Sequence, residues 1–154
     1  MTYGTDVTRH QLVTEDPWVG RRTLGVHIAP AGNWTNEFQY RRAQSRELAL
    51  QIAGSSMARA TARIGYFMMV CPKLEYPLGA TQFTQQQCDS ITSPVIRASL
   101  SKMGYNCNTP KEVIYGPPEL FGIGIHDYYI EQGIHQLLAL FGHIRQDSET
   151  SRMM

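Results

Sequence analysis

Three histidines, His126, His135 and His143, fall close together late in the chain, and Glu131 precedes His135 by four residues. On a helix that spacing puts a carboxylate and an imidazole on one face, which is how a metal site begins. The pattern is not His-Glu-x-x-His and offers no third ligand, so it reads as a surface ion pair. Gly122-Ile123-Gly124 carries the first two glycines of a dinucleotide fingerprint without the third or a surrounding strand–helix–strand unit. A backbone bend into the final helix explains it better. Cys71, Cys88 and Cys107 are odd in number and widely spaced, against both a disulfide framework and a Cys-x-x-Cys zinc site. Nothing ties Cys107 to a histidine as nucleophile and base, and packing is the plainer role for such thiols. No Gly-x-Ser-x-Gly elbow and no Gly-Lys-Ser/Thr phosphate loop occurs. Nor are two aspartates adjacent to hold a pair of Mg²⁺ ions; Asp127-Tyr128-Tyr129 is not such a site. The chain is expected to be non-catalytic on its own, with no cofactor and no metal.

Arginine is the remaining chemistry. Between Arg21 and Arg63 stand Arg21, Arg22, Arg41, Arg42, Arg46, Arg59 and Arg63 against only Glu37 and Glu47, so the segment carries 7 − 2 = +5. The whole chain carries only +1, and the compensating acids lie mostly beyond Cys71. Such asymmetry suits a surface that faces a polyanion. On charge alone, a solvated helix face is the simpler reading.

The elements that would position these residues follow from hydropathy and punctuation. With 154 residues, 42% hydrophobic and 18% charged, the chain is sized for one domain with a core. Its longest apolar run, Ile64 to Cys71, is too short to cross a membrane, and no secretory signal opens it. A soluble intracellular protein with reduced thiols is expected. Arg9 to Val13 and Arg22 to Ala29 read as two short strands of a hairpin. Trp34 to Gly54 reads as a helix capped by Asn33 or Thr35, with a stripe of Phe38, Leu48 and Ile52 and a polar face bearing Arg42 and Arg46. A second helix runs from Ser56 to Cys71 on Met57, Ala60, Ile64, Phe67, Met68 and Cys71, halted by Pro72. A third starts at Thr84, whose Thr-x-x-Gln87 spacing suits a capping box, buries Cys88, Ile91, Val95 and Ala98, kinks at Pro94 and ends at Gly104. Residues 106–125 read as a Gly/Pro-rich ordered loop with a short strand at Val113 to Tyr115. A last helix, Asp127 to Gln146, carries the apolar stripe Ile130, Ile134, Leu137, Leu138, Phe141 and Ile144. The predicted fold is mainly α: a small N-terminal β-hairpin (1–32), a three-helix bundle (33–105), then the loop and final helix (106–154), in one compact unit.

Several phrases, taken in order, resemble the region after the catalytic palm of non-LTR (LINE-type) retrotransposon reverse transcriptases. Arg22-Thr23-Leu24-Gly25-Val26-His27-Ile28 followed by Gly32-Asn33-Trp34 and Phe38 resembles the strand and Trp-led helix that open the family's thumb. The helix to Ile52, then Ala58 to Val70, Pro72, Leu74, Glu75 and Tyr76, resembles its pair of thumb helices and their ending. Gly116-Pro117 and Phe121-Gly122-Ile123-Gly124-Ile125 resemble its Gly-Gly-Leu-Gly-Ile phrase, with Phe121 where the family often has Gly. The match spans about Arg21 to Ile144. The family's Tyr-x-Asp-Asp active site has no counterpart here, so no catalytic residue carries over.

The resemblance implies a non-catalytic thumb and connection module of an RNA-directed DNA polymerase. It would bind an RNA/DNA template–primer duplex weakly and without sequence preference through phosphate contacts. Arg41, Arg42 and Arg46 are the first candidates, with Arg21 and Arg22 next. The absent palm domain of a parent polyprotein would be its other partner, and apolar surface left uncovered would favour self-association, with the front of the chain opening first. A helical protein-interaction module with no nucleic-acid role is the alternative.

Overall fold

The structure, a computed structural model, describes residues 16–145. It is mainly helical, with a two-stranded antiparallel hairpin ahead of the helices, as the sequence predicts. Among the described residues no helix is long and apolar enough to cross a membrane.

The hairpin differs from the one expected. Strands β1 (Arg21–Thr23) and β2 (Val26–Ile28) pair in the register Arg21↔Ile28, Arg22↔His27 and Thr23↔Val26. The single strand predicted over Arg22 to Ala29 is therefore folded back on itself. Leu24 and Gly25 both have positive φ, 51° and 88°, the type I′ turn whose twist matches that of paired strands. Leucine at a position that favours Asn or Gly hides this turn from the sequence. The partner strand expected at Arg9 to Val13 lies outside the described residues.

Helix α1 (Thr35–Gly54) begins where Asn33 Oδ1 accepts the Thr35 N–H at 3.0 Å and the Thr35 hydroxyl at 2.7 Å. It packs along α4 (Gln85–Met103), where the small Ser45 lets the two backbones approach and donates its hydroxyl to the Ile91 carbonyl. The capping box of α4 forms: Thr84 Oγ1 accepts the Gln87 N–H at 3.3 Å and Gln87 Oε1 accepts the Thr84 N–H at 2.9 Å. Gly104, φ 86°, ends it, and the Tyr105 N–H returns to the Leu100 carbonyl.

The second helix is composite. α2 (Arg59–Gly65) runs through a π-helical turn, Tyr66–Val70, into α3 (Cys71–Glu75), so Pro72 does not halt it. In the widened turn the Cys71 N–H reaches five residues back to the Tyr66 carbonyl. In a regular helix the proline ring would strike the carbonyl four residues earlier; the extra residue relieves that clash. Pro72 then sits in the first turn of α3, where a missing N–H costs little. The buried side chains are Ala62, Tyr66, Val70, Cys71 and Leu74. Four-residue steps stay aligned where the helix is underwound, so the predicted stripe is corrected. Met57 and Phe67 are half-buried, while Ala60, Ile64 and Met68 face out.

Residues 106–125 hold a short helix, α5 (Lys111–Tyr115), in place of the predicted strand. The Pro110 carbonyl accepts the N–H groups of Val113 and Ile114, which starts a helical turn. The chain then returns, and the N–H groups of Ile123, Gly124 and Ile125 donate to the carbonyls of Val113, Gly116 and Ile114 at 2.8–3.0 Å. Gly116 and Gly122 meet backbone to backbone, and a Cβ on Gly122 would enter the Gly116 carbonyl. Ile114, Ile123, Ile125 and Tyr128 join Ile91, Val95 and Leu100 in one core.

Helix α6 (Tyr128–Arg145) starts at Asp127, whose Oδ1 accepts the Tyr129 N–H at 2.9 Å. Its apolar stripe does not enter the core: Ile130, Ile134, Leu137, Leu138, Phe141 and Ile144 are 43–64% exposed. The face against the body is polar and spaced by four. Tyr128 donates its hydroxyl to the Leu74 carbonyl. Gln132 accepts the Phe83 N–H at 2.9 Å and donates to the Phe83 carbonyl at 3.0 Å; Gln136 donates to the Thr81 carbonyl at 2.7 Å. The Gln132 and Gln136 bonds satisfy backbone groups of the 76–84 connection, which has no regular structure to satisfy them.

Candidate nucleic-acid interface

The hairpin turn lands on α1, and that landing sorts the arginines. Glu37 is fully buried in the first turn of α1. One of its oxygens accepts the His27 N–H at 2.7 Å and lies 2.8 Å from His27 Nδ1; the other accepts Arg41 Nε at 2.5 Å. Arg41 is itself 4% exposed, and its remaining donors reach Gln44 Oε1, the Lys73 carbonyl and the Gly25 carbonyl at 3.0–3.2 Å. A buried guanidinium with its donors engaged is a structural tie between hairpin, α1 and α3. Its donors are already engaged within the fold, which sets Arg41 apart from the exposed Arg42 and Arg46.

The other four arginines are exposed, and they divide into two groups. Arg42 and Arg46 lie one turn apart on the outer face of α1. The Arg22 guanidinium lies 5.2 Å above the ring of Tyr40, about 160° around α1 from Arg42 at 100° per residue. Arg21, on the adjoining strand residue, points to the other side of the hairpin.

Arg22 and Tyr40 border an open hollow of about 370 Å³ that the sequence did not single out. Gln44, Lys73 and Tyr76 complete its rim, and the Arg41–Gly25 tie forms its floor. Lys73 is exposed, and Tyr76 is 63% exposed with its hydroxyl donating to the Leu24 carbonyl at 2.7 Å. Two cations beside two aromatic rings suit a phosphate backbone and an unpaired base. The sequence signal for it is Pro72-Lys73-Leu74-Glu75-Tyr76, which sets a cation three residues before an aromatic ring.

The remaining candidates are dispersed. His126 Nδ1 lies 3.2 Å from Glu75 and 3.6 Å from Glu131, so Glu131 pairs with His126 and not with His135. Among the described residues no cluster of three His, Cys, Asp or Glu side chains is placed to hold a metal ion. All three cysteines are free thiols. Burial, reinforced by Glu75, pushes the Cys71 thiol up to about 12, and burial with Asp127 nearby pushes Cys88 up to about 12. Both are inert packing groups at neutral pH. Cys107 is exposed, its Sγ near the side-chain oxygens of Asn106 and Asn108. Compared with protein-family models, curated proteins and solved structures, the chain matches none.

Proposed function

We propose that this chain is a non-catalytic, sequence-indifferent binder of a nucleic-acid backbone, the thumb and connection part of a retrotransposon-type reverse transcriptase. The observation that carries this reading is the hollow where Arg22 and Lys73 stand beside Tyr40 and Tyr76. Its lining draws on two sequence phrases that resemble the family's thumb, the Leu-Gly-Val phrase and the Pro-x-Leu-x-Tyr ending, together with Tyr40, Arg41 and Gln44 of α1. A second support is Phe121. Where the family often has glycine, the backbone has φ 63°, a conformation glycine adopts freely, and the phenyl ring is 96% exposed. Arg42 and Arg46 provide a second phosphate contact on the opposite flank of α1. No chemistry of its own is assigned to the chain, because the Tyr-x-Asp-Asp segment of such polymerases is not in the sequence.

Fluorescence anisotropy with a labelled RNA template annealed to a DNA primer tests the reading. Affinity should fall steeply with salt, and Arg22→Ala combined with Lys73→Ala should reduce the slope of log affinity against log salt by about 2. Binding should weaken alike on unrelated sequences. No binding at low salt, or an unchanged slope in a variant with wild-type circular dichroism, would remove the hollow from any such interface.

One observation favours the alternative, a helical module that binds protein: the exposed apolar face of α6.

A further inference from the structure

Ile130, Ile134, Leu137, Phe141 and Ile144 recur at steps of four, three, four and three residues. That is the seam spacing of two helices wound together, with Leu138 beside it. All six side chains are more than 40% exposed. The opposite face of α6 is committed to the body through Tyr128, Gln132 and Gln136, so the helix cannot roll to bury the seam without breaking those bonds. The six side chains together present on the order of 700 Å² per copy, close to the roughly 800 Å² that each partner contributes to a standard interface. It also exceeds the largest apolar patch of a typical monomer, roughly 300–600 Å².

We propose that this face of α6 packs against the same face of a second copy of the chain, the two helices antiparallel about a twofold axis. Charge and spacing select the occupant and the orientation. In an antiparallel pair Leu137 meets Phe141 of the second copy, Ile134 meets its Ile144, and Leu138 meets its own counterpart near the axis. Glu131, in the first turn of α6, then faces Arg145 of the second copy, in the last turn. Every seam layer from 134 to 144 is thus apolar on both sides, and the flanking charges are opposite. A parallel pair would set Arg145 beside Leu140 and leave Glu131 without an opposite charge. An isologous contact of this kind closes on itself and needs no other chain. None of these residues lines the hollow between hairpin and α3, so the pairing stands or falls separately from the nucleic-acid reading.

Sedimentation equilibrium of the full chain decides it. A dimer is expected at about 100 µM chain, dissociating on dilution toward 1 µM, as suits a modest helical interface. Leu137→Glu should make the chain monomeric with unchanged helical circular dichroism, since the position is exposed in a single copy. Glu131→Arg and Arg145→Glu should each weaken the dimer at least threefold, and the two together should restore it. That restoration also controls for the Glu131 contact with His126. In a Cys107→Ser background, Leu138→Cys should form a disulfide-linked dimer under mild oxidation and Ile130→Cys should not. A monomer at 100 µM, a dimer indifferent to Leu137→Glu, or cross-linking through Ile130→Cys in preference to Leu138→Cys would each overturn the proposal.

Discussion

Arg41 and Arg42 are neighbours in the chain and differ wholly in environment. Arg41 is sealed between Glu37, Gln44 and two backbone carbonyls, whereas Arg42 extends into solvent. Removing one partner of a buried charge pair strands the other, so Arg41→Ala should cost about 3 kcal/mol of stability. Arg42→Ala should cost about 0.5 kcal/mol or less. Urea denaturation of the two variants checks this, and equal costs would mean that the Glu37–Arg41 tie does not hold the hairpin to α1. The inward turn of Arg41 was partly legible. Phe38, Leu48 and Ile52 define a stripe, and filling its three- and four-residue steps lands on Arg41 and Ser45, both buried. What the sequence lacks is the reason a charge is tolerated there. That reason is the Gly25 carbonyl and His27, which arrive from a hairpin 10 to 16 residues away.

At the scale of elements, local chemistry was legible and long-range chemistry was not. The capping box at Thr84 and the glycine stop at Gly104 involve residues within a few positions of each other, and both form as read. The π turn at Tyr66–Val70 and the helix at Lys111–Tyr115 were missed. The first depends on how Pro72 is accommodated, the second on carbonyls that are satisfied only when residues 123–125 return. The hairpin turn offers a direct test. Leu24 is 88% exposed and adopts the left-handed conformation that a type I′ turn demands, so its side chain gains nothing there. Leu24→Asn creates the favoured turn pair with Gly25 and should stabilise the protein by about 0.5–1 kcal/mol. The Tyr76 bond to the carbonyl of residue 24 is unaffected, because it is made to backbone. A thermal midpoint that falls in this variant would mean that the leucine makes a stabilising contact.

For the molecule as a whole, the core sets how stability responds to alkali. Cys71 and Cys88 remain protonated in the fold up to about 12, against about 8.5 for an exposed thiol, and Tyr66 and Tyr128 are also raised by burial. The folded state therefore holds protons that the unfolded chain releases as pH climbs past 9. Stability from these groups is fully present below about pH 8 and is lost between about pH 9 and 12. The urea midpoint should stay level from pH 6 to 8 and fall above 9. A midpoint level to pH 11 would mean that the thiols ionise as freely inside as outside. The two faces of α6 carry a different consequence, for how such a chain diverges over time. The inner face includes one amide, Gln132, that must offer a donor and an acceptor to the same residue, Phe83. Few exchanges preserve that, so descendants of this chain should inherit Gln132 almost unchanged. The outer face is exposed among the described residues and is free to trade one apolar residue for another. Drift there is constrained only by whatever covers it, so substitutions at 134 and 144 or at 137 and 141 should travel together. The history of α6 would then be written at two tempos, half a helical turn apart.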